Sequence, residues 1–189
     1  LFIFIFTAYS IGCELKYERS HEWLKMAGGN IWVALMGKML PQMLLSMLMM
    51  SAYLIYIYGV MGFPHEGSWM VIFLLGFLSV LAAEGFGIFM FSLLPSMRMS
   101  MSLCSLWAVL SFSMVGTAFP VMAMDPALET LAWLFPLRHY FVIYQTSIFS
   151  GYSLTYCWVN IVCLIAFALL PLPLMGRLKK AMMTFKYMD

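Results

Sequence analysis

Long runs of this chain carry almost no charge, and that constrains its fold more than any motif does. Residues 39–58, 99–119 and 154–175 contain no Asp, Glu, Lys or Arg, and residues 69–94 contain only Glu84. With 64% hydrophobic and 10% charged residues, the chain has too little polar surface to cover a soluble globule of this length. Its solvent must be lipid. A bilayer core offers the backbone no hydrogen-bond partners, so apolar runs without strand-like alternation must be helical. The expected fold class is therefore all-α, a polytopic transmembrane helical bundle forming a single transmembrane domain over 1–189.

A hydrocarbon core about 30 Å thick takes roughly 20 apolar residues at helical rise. Four complete spans are expected, over 39–58, 69–94, 99–119 and 154–175, with 31–38 as an interfacial lead-in. Residues 1–12 are apolar but too short to cross. They lack both an initiating methionine and the basic flank of a signal peptide. The chain is expected to begin inside a truncated span, the natural protein extending N-terminally.

Lys and Arg gather on cytoplasmic loops. Of the ten here, all but Arg138 fall in segments 13–38 and 95–98 or in the tail from Arg177 to Lys186. This places 13–30, the 95–98 turn and the C-terminus in the cytoplasm. The 59–68 turn and the 120–153 connection then face outward. The tail could also hold anionic lipid.

Two connections stand out. Residues 14–27 hold much of the charge yet place Leu15, Trp23, Leu24 and Met26 at loosely helical spacing. They read as an amphipathic helix on the inner membrane surface, or else as a charged loop with an interfacial tryptophan. Gly28, Gly29 and Asn30 should end it. The outer connection is rich in Leu, Trp, Phe and Tyr but is broken by Pro126 and Pro136. Short helices over 128–135 and 139–150 are expected, dipping into the outer leaflet or packed as a closed hairpin on the spans.

Chemistry-bearing residues are few. No basic cluster interleaves with aromatics, which argues against nucleic acid. Cys13, Cys104, Cys157 and Cys163 form no C-x-x-C pair, and His21, His65 and His139 are too scattered for a metal site. The 20 methionines are spread along apolar helices as adaptable packing, not as a copper site. Glu84 is an intramembrane polar candidate: it contacts a cationic substrate or carries a proton, or it is a protonated or hydrogen-bonded carboxyl between helices. Around it, Ser79, Ala83 and Gly87 recur every four residues, a stripe that lets helices approach closely or marks a subunit interface. Gly85 beside Gly87 offers a hinge. Lys38 reads as an anchor at the inner end of a span. Arg138 is expected to pair with Asp125 or Glu129, with lipid phosphate as the other reading.

With the connections placed, the sequence resembles the permeases of type-2 ABC exporters, over essentially its whole length. Glu14-Leu15-Lys16, Glu22-Trp23-Leu24 and Gly37-Lys38-Met39-Leu40-Pro41 look like that family's cytoplasmic coupling region and following helix. Gly116, Pro120, Met124, Pro136-Leu137-Arg138-His139-Tyr140 and Gly151 look like its outer re-entrant segment. The family's Gly-Thr pair is missing, Ser20-His21 standing near its place. The resemblance implies six spans per subunit and a homo- or heterodimer of permeases in membrane lipid. It also implies a separate ATPase subunit that holds ATP and Mg, with no cofactor on this chain. Glu14, Glu18, Arg19, Glu22, Trp23, Leu24 and Lys25 would then couple to the ATPase, Trp23 and Leu24 as apolar anchors and the others as a polar rim.

The chain has no phosphate-cradling loop of its own. Gly37-Lys38 is followed by Met39, with Trp32 where that loop needs its first glycine. The function expected is ATP-driven export of an amphipathic drug, lipid or lipid-linked glycan across a bacterial inner membrane, along a wall using Tyr53, Tyr56 and Phe86. The competing readings are a membrane-embedded lipid-modifying enzyme using His139, Glu129 and Asp125, and a scaffold with no pathway.

Overall fold

A computed structural model describes residues 2–116 and 125–184. It is helical, with no strand among the described residues. In chain order the helices are α1 (Phe2–Lys16), α2 (Ser20–Met26), α3 (Ile31–Leu54), α4 (Trp69–Leu93), α5 (Met97–Met114), α6 (Pro126–Ala132), α7 (Pro136–Ile143), α8 (Trp158–Leu169) and α9 (Met175–Thr184). Wider π turns extend α3 over Ile55–Val60 and α7 over Tyr144–Phe149. Short 3₁₀ turns, Leu154–Cys157 and Leu172–Leu174, precede α8 and α9.

Three helical runs are long and apolar enough to cross a membrane: Ile31–Val60, Trp69–Leu93 and Leu154–Thr184. The interfacial lead-in over 31–38 is thus the first two turns of one continuous helix. Pro41 sits inside α3 without ending it. Helix α5 is not among the three. It covers most of the span expected over 99–119, starts one residue before Arg98 and includes five serines. The end of that span, with Pro120 and Met124, lies outside the described residues, as does Lys186 of the tail.

Helix α4 is the centre. In its most apolar stretch 56% of residues are buried, against 11% for the run starting at Ile31 and 17% for the run starting at Leu154. Two glycines make this possible. A Cβ on Gly87 would lie 2.6 Å from the Phe4 carbonyl oxygen of α1, and one on Gly85 would lie 2.6 Å from the Ala168 carbonyl oxygen of α8. The neighbouring backbones therefore sit where any side chain would be. On a third side, a Cβ at Gly76 would run into the Met50 thioether of α3. Between the glycines, Phe86 is 2% exposed and meets Phe4, Trp107 and Phe167 at ring-centroid distances of 5.7, 5.7 and 5.9 Å. It belongs to the core and not to a pathway wall. Tyr53 and Tyr56 are exposed.

The helix spacing also settles what Gly85 does. Helix α4 runs unbroken from Trp69 to Leu93, so Gly85 marks a close helix crossing and not a break. Substituting Gly85→Val should cost about 1–3 kcal/mol through overpacking against backbone that cannot yield. Gly37→Ala, facing open space in the interior of α3, should not destabilise and should gain up to about 1 kcal/mol from helix propensity. Denaturant titration of the micelle-solubilised protein reads both; equal effects would contradict the packing described.

Candidate functional site

The helix ends predicted to be cytoplasmic come together. Helix α2 packs against α1, α3 and α9, so the end of the bundle carrying Lys16, Arg19, Lys25 and Lys38 also carries Arg177, Lys179 and Lys180. The segment expected as one helix over 14–27 is in fact two. Helix α1 continues through Glu14, Leu15 and Lys16, and the chain turns at Glu18, which takes φ 57°. Such a left-handed residue cannot sit inside a helix. Arg19 N–H donates to the Glu14 carbonyl at 2.9 Å to close the turn. Helix α2 ends where the sequence predicts, at Gly28 and Gly29, both with positive φ. Asn30 then caps α3, its side-chain oxygen accepting from Trp32 N–H at 3.0 Å.

Lys38 is the hub of this end. Its Nζ lies 2.7 Å from Glu14 Oε1, donates to the Ser10 carbonyl at 2.8 Å, and stands 5.4 Å from the centroid of the Trp23 ring. One ammonium thus ties α1, α2 and α3, a role beyond the interfacial anchor expected of it. Arg19 approaches the same carboxylate at 4.0 Å. Sequence reasoning assigned Glu14 and Lys38 to separate roles, because their pairing depends on α1 and α3 being antiparallel neighbours.

The seven predicted coupling residues divide. Glu18, Arg19, Glu22 and Lys25 are exposed. Trp23 and Leu24 are buried, 9% and 4% exposed, within a core cluster that includes Leu15, Ile31, Leu178 and Met182. They anchor α2 to its own chain and cannot be apolar anchors on another protein. Glu14 likewise turns inward to Lys38. The face α2 leaves open is His21, Glu22, Lys25 and Met26.

At the other end, the prolines begin helices that the sequence reading started later. Pro126 opens α6 behind Asp125, whose Oδ1 accepts from Ala127 N–H at 2.9 Å, and Pro136 opens α7. A first-turn proline gives up only an N–H that lacks a helical partner anyway. The Ile148 carbonyl accepts from Glu66 N–H at 3.0 Å and Gly67 N–H at 3.3 Å, and the Tyr58 and Tyr144 hydroxyls hydrogen-bond. These contacts tie the 59–68 turn to the end of α7.

The four residues singled out in this segment have different fates. Pro136 and Tyr140, with Phe4, Ser79, Ala83 and Ser111, line part of a cavity of about 220 Å³. Arg138 is buried and its Nη1 has no hydrogen-bond partner. The expected pairing with Asp125 or Glu129 does not form: the two ion pairs among the described residues both involve Glu14. Asp125 instead caps α6. His139 is 1% exposed. Its Nε2 meets the Trp133 carbonyl and its Nδ1 the Asn160 carboxamide, each at 2.9 Å. Both ring nitrogens are thus engaged, and Glu129 and Asp125 lie on the exposed start of α6. No acid–base constellation gathers there.

Glu84 is 4% exposed on α4 and its Oε1 has no hydrogen-bond partner. Its burial fits a carboxyl held between helices. In the small-residue stripe, Gly87 meets α1 of the same chain, while Ser79 and Ala83 face the cavity.

The order of elements is a short helix between two apolar helices, with paired short helices before the last run. The family model of the ABC-2 family transporter proteins matches residues 1–176. The chain belongs to that family. No curated protein and no solved structure matches it. As an ABC-2 family member it is an integral membrane permease component of an ABC transporter, a system powered by an ATPase partner. Within this ABC-2 chain the match ends at Gly176, so nearly all of α9 lies beyond it.

The Lys38 hub makes a measurable claim. Both side chains of the Lys38–Glu14 pair are under 20% exposed, at 19% and 16%, so removing one partner strands a charge. Lys38→Met should cost about 1–3 kcal/mol. The Glu14→Gln, Lys38→Met double variant should cost less than the sum of the singles. Unfolding titrations of the four proteins of the cycle read this, and strict additivity would contradict the hub.

Proposed function

We propose that the chain is the membrane-spanning permease subunit of an ATP-driven exporter, working as a homo- or heterodimer and moving an amphipathic molecule: a drug, a lipid or a lipid-linked glycan. ATP and Mg sit on a separate ATPase subunit. In this reading α2 is the coupling helix, the C-terminus is cytoplasmic, and the protein resides in the bacterial inner membrane.

The observation that carries the reading is the placement of α2. It is a short helix at the end of the bundle where the basic residues gather. Trp23 and Leu24 are locked inward by Leu15, Ile31 and the Lys38 hub, while His21, Glu22, Lys25 and Met26 face away from the bundle. A helix held this way can pass on a push, because it cannot move without α1 and α3 moving too. The enzyme reading loses support, since both His139 ring nitrogens are engaged by Trp133 and Asn160, and Asp125 caps α6.

Purification of the full-length protein from its native membrane in mild detergent tests this. A stoichiometric P-loop ATPase should co-purify. The Glu22→Arg, Met26→Asp double variant, altered only on the exposed face, should lower its recovery at least tenfold without changing the thermal stability of the permease. Trp23→Ala, by contrast, should destabilise the permease itself by about 3 kcal/mol. Undiminished recovery from the exposed-face variant would overturn the assignment of α2.

A further inference from the structure

The C-terminal helix lies almost wholly outside the family match, yet it is built into the same end of the bundle as α2. Its apolar side, with Leu178 fully buried and Ala181 and Met182 nearly so, packs into the chain. Ser20, the first residue of α2, donates its hydroxyl hydrogen bond to the Met182 carbonyl at 2.8 Å. Trp23 and Leu24 share one core cluster with Leu178 and Met182.

The other end of α9 is just as firmly held. Pro171 and Pro173 flank and occupy the 3₁₀ turn Leu172–Leu174 that joins it to the preceding helical run. Each proline fixes its own φ, so the joint is stiff. Leu174 N–H donates to the Pro171 carbonyl at 3.0 Å. Arg177 then donates to the Leu93 carbonyl, at the end of α4, at 3.2 Å, satisfying an acceptor that a helix terminus leaves without a partner.

From this arrangement we infer that α2 and α9 form one rigid unit. Through it, displacement of α2 reaches the last membrane run directly, and not only through α1 and α3. Ser20 and Met182 are the positioning residues of the joint. The inference rests on α2 being the coupling helix for its mechanical meaning, but the rigid joint itself is a separate claim with its own readout. It gives the permease two arms from one input: the Lys38 hub into α1 and α3, and α9 into α8, whose Ala168 backbone lies against Gly85 of α4.

The test is a Ser20→Cys, Met182→Cys full-length protein, treated in native membranes with a short bifunctional thiol reagent, with and without ATP and Mg. The parent chain, which keeps its own four cysteines, serves as the control. Bridging should be near complete and equal in both conditions. The bridged complex should hydrolyse ATP within twofold of the unbridged one. A bridging yield that falls threefold or more with ATP, a low yield in both conditions from a variant that melts with the parent chain, or hydrolysis that stops on bridging would overturn the rigid unit. A permease that bridges fully but brings down no ATPase would instead contradict the transporter assignment and leave the joint standing.

Discussion

The structure turns on the close approach of three backbones at Gly85 and Gly87 of α4. In lipid, apolar burial gives little preference for one helix neighbour over another, because the surrounding tails are as apolar as the helices. What remains is packing, and packing strengthens as backbones approach. Gly87 admits α1 at Phe4 and Gly85 admits α8 at Ala168. Phe86 between them fills the space the glycines leave, with Phe4, Trp107 and Phe167 around it. Displacing any of these helices disturbs the others.

From that centre the two ends of the bundle are finished differently. The basic end, which carries α2, uses charge and hydroxyl contacts: Lys38 joins Glu14 and the Ser10 carbonyl, Ser20 joins Met182, and Arg177 joins Leu93. The opposite end relies on backbone hydrogen bonds and aromatic rings, with Ile148 accepting from Glu66 and Gly67, and Tyr58, His65 and Trp69 mutually edge-on. A load applied at the basic end would act on a few directional contacts. The opposite end is gripped by a broader set that includes the turn before α4 and the end of α7.

The helical class was legible in the sequence because lipid leaves no other choice for uncharged runs of 20 residues. So was the end of α2 at Gly28 and Gly29, where positive φ demands glycine. The gathering of basic residues at one end was legible too, since charge follows membrane side. Other features needed three dimensions. Trp23 and Leu24 look like a partner-facing apolar pair on a charged segment. Only the position of α9, more than 150 residues later, shows what covers them. Glu18 carries no sequence mark of a left-handed turn, so the last residues of α1 read as the start of the next helix. Pro126 and Pro136 read as breaks when they are first-turn residues, an ambiguity that the local sequence leaves open. Phe86 looks like an aromatic wall residue until its two flanking glycines are seen to bring helices onto it.

As the proposed coupling helix, α2 is where an ATPase would deliver its stroke to this permease. A photo-crosslinking residue placed at Met26, 82% exposed on that helix, and activated in native membranes, tests it most directly. The account predicts one dominant adduct, with a P-loop ATPase chain, and none from the same probe at Tyr152 on the other end of the bundle. Adducts at Met26 with lipid alone, or with the ATPase from Tyr152, would contradict it.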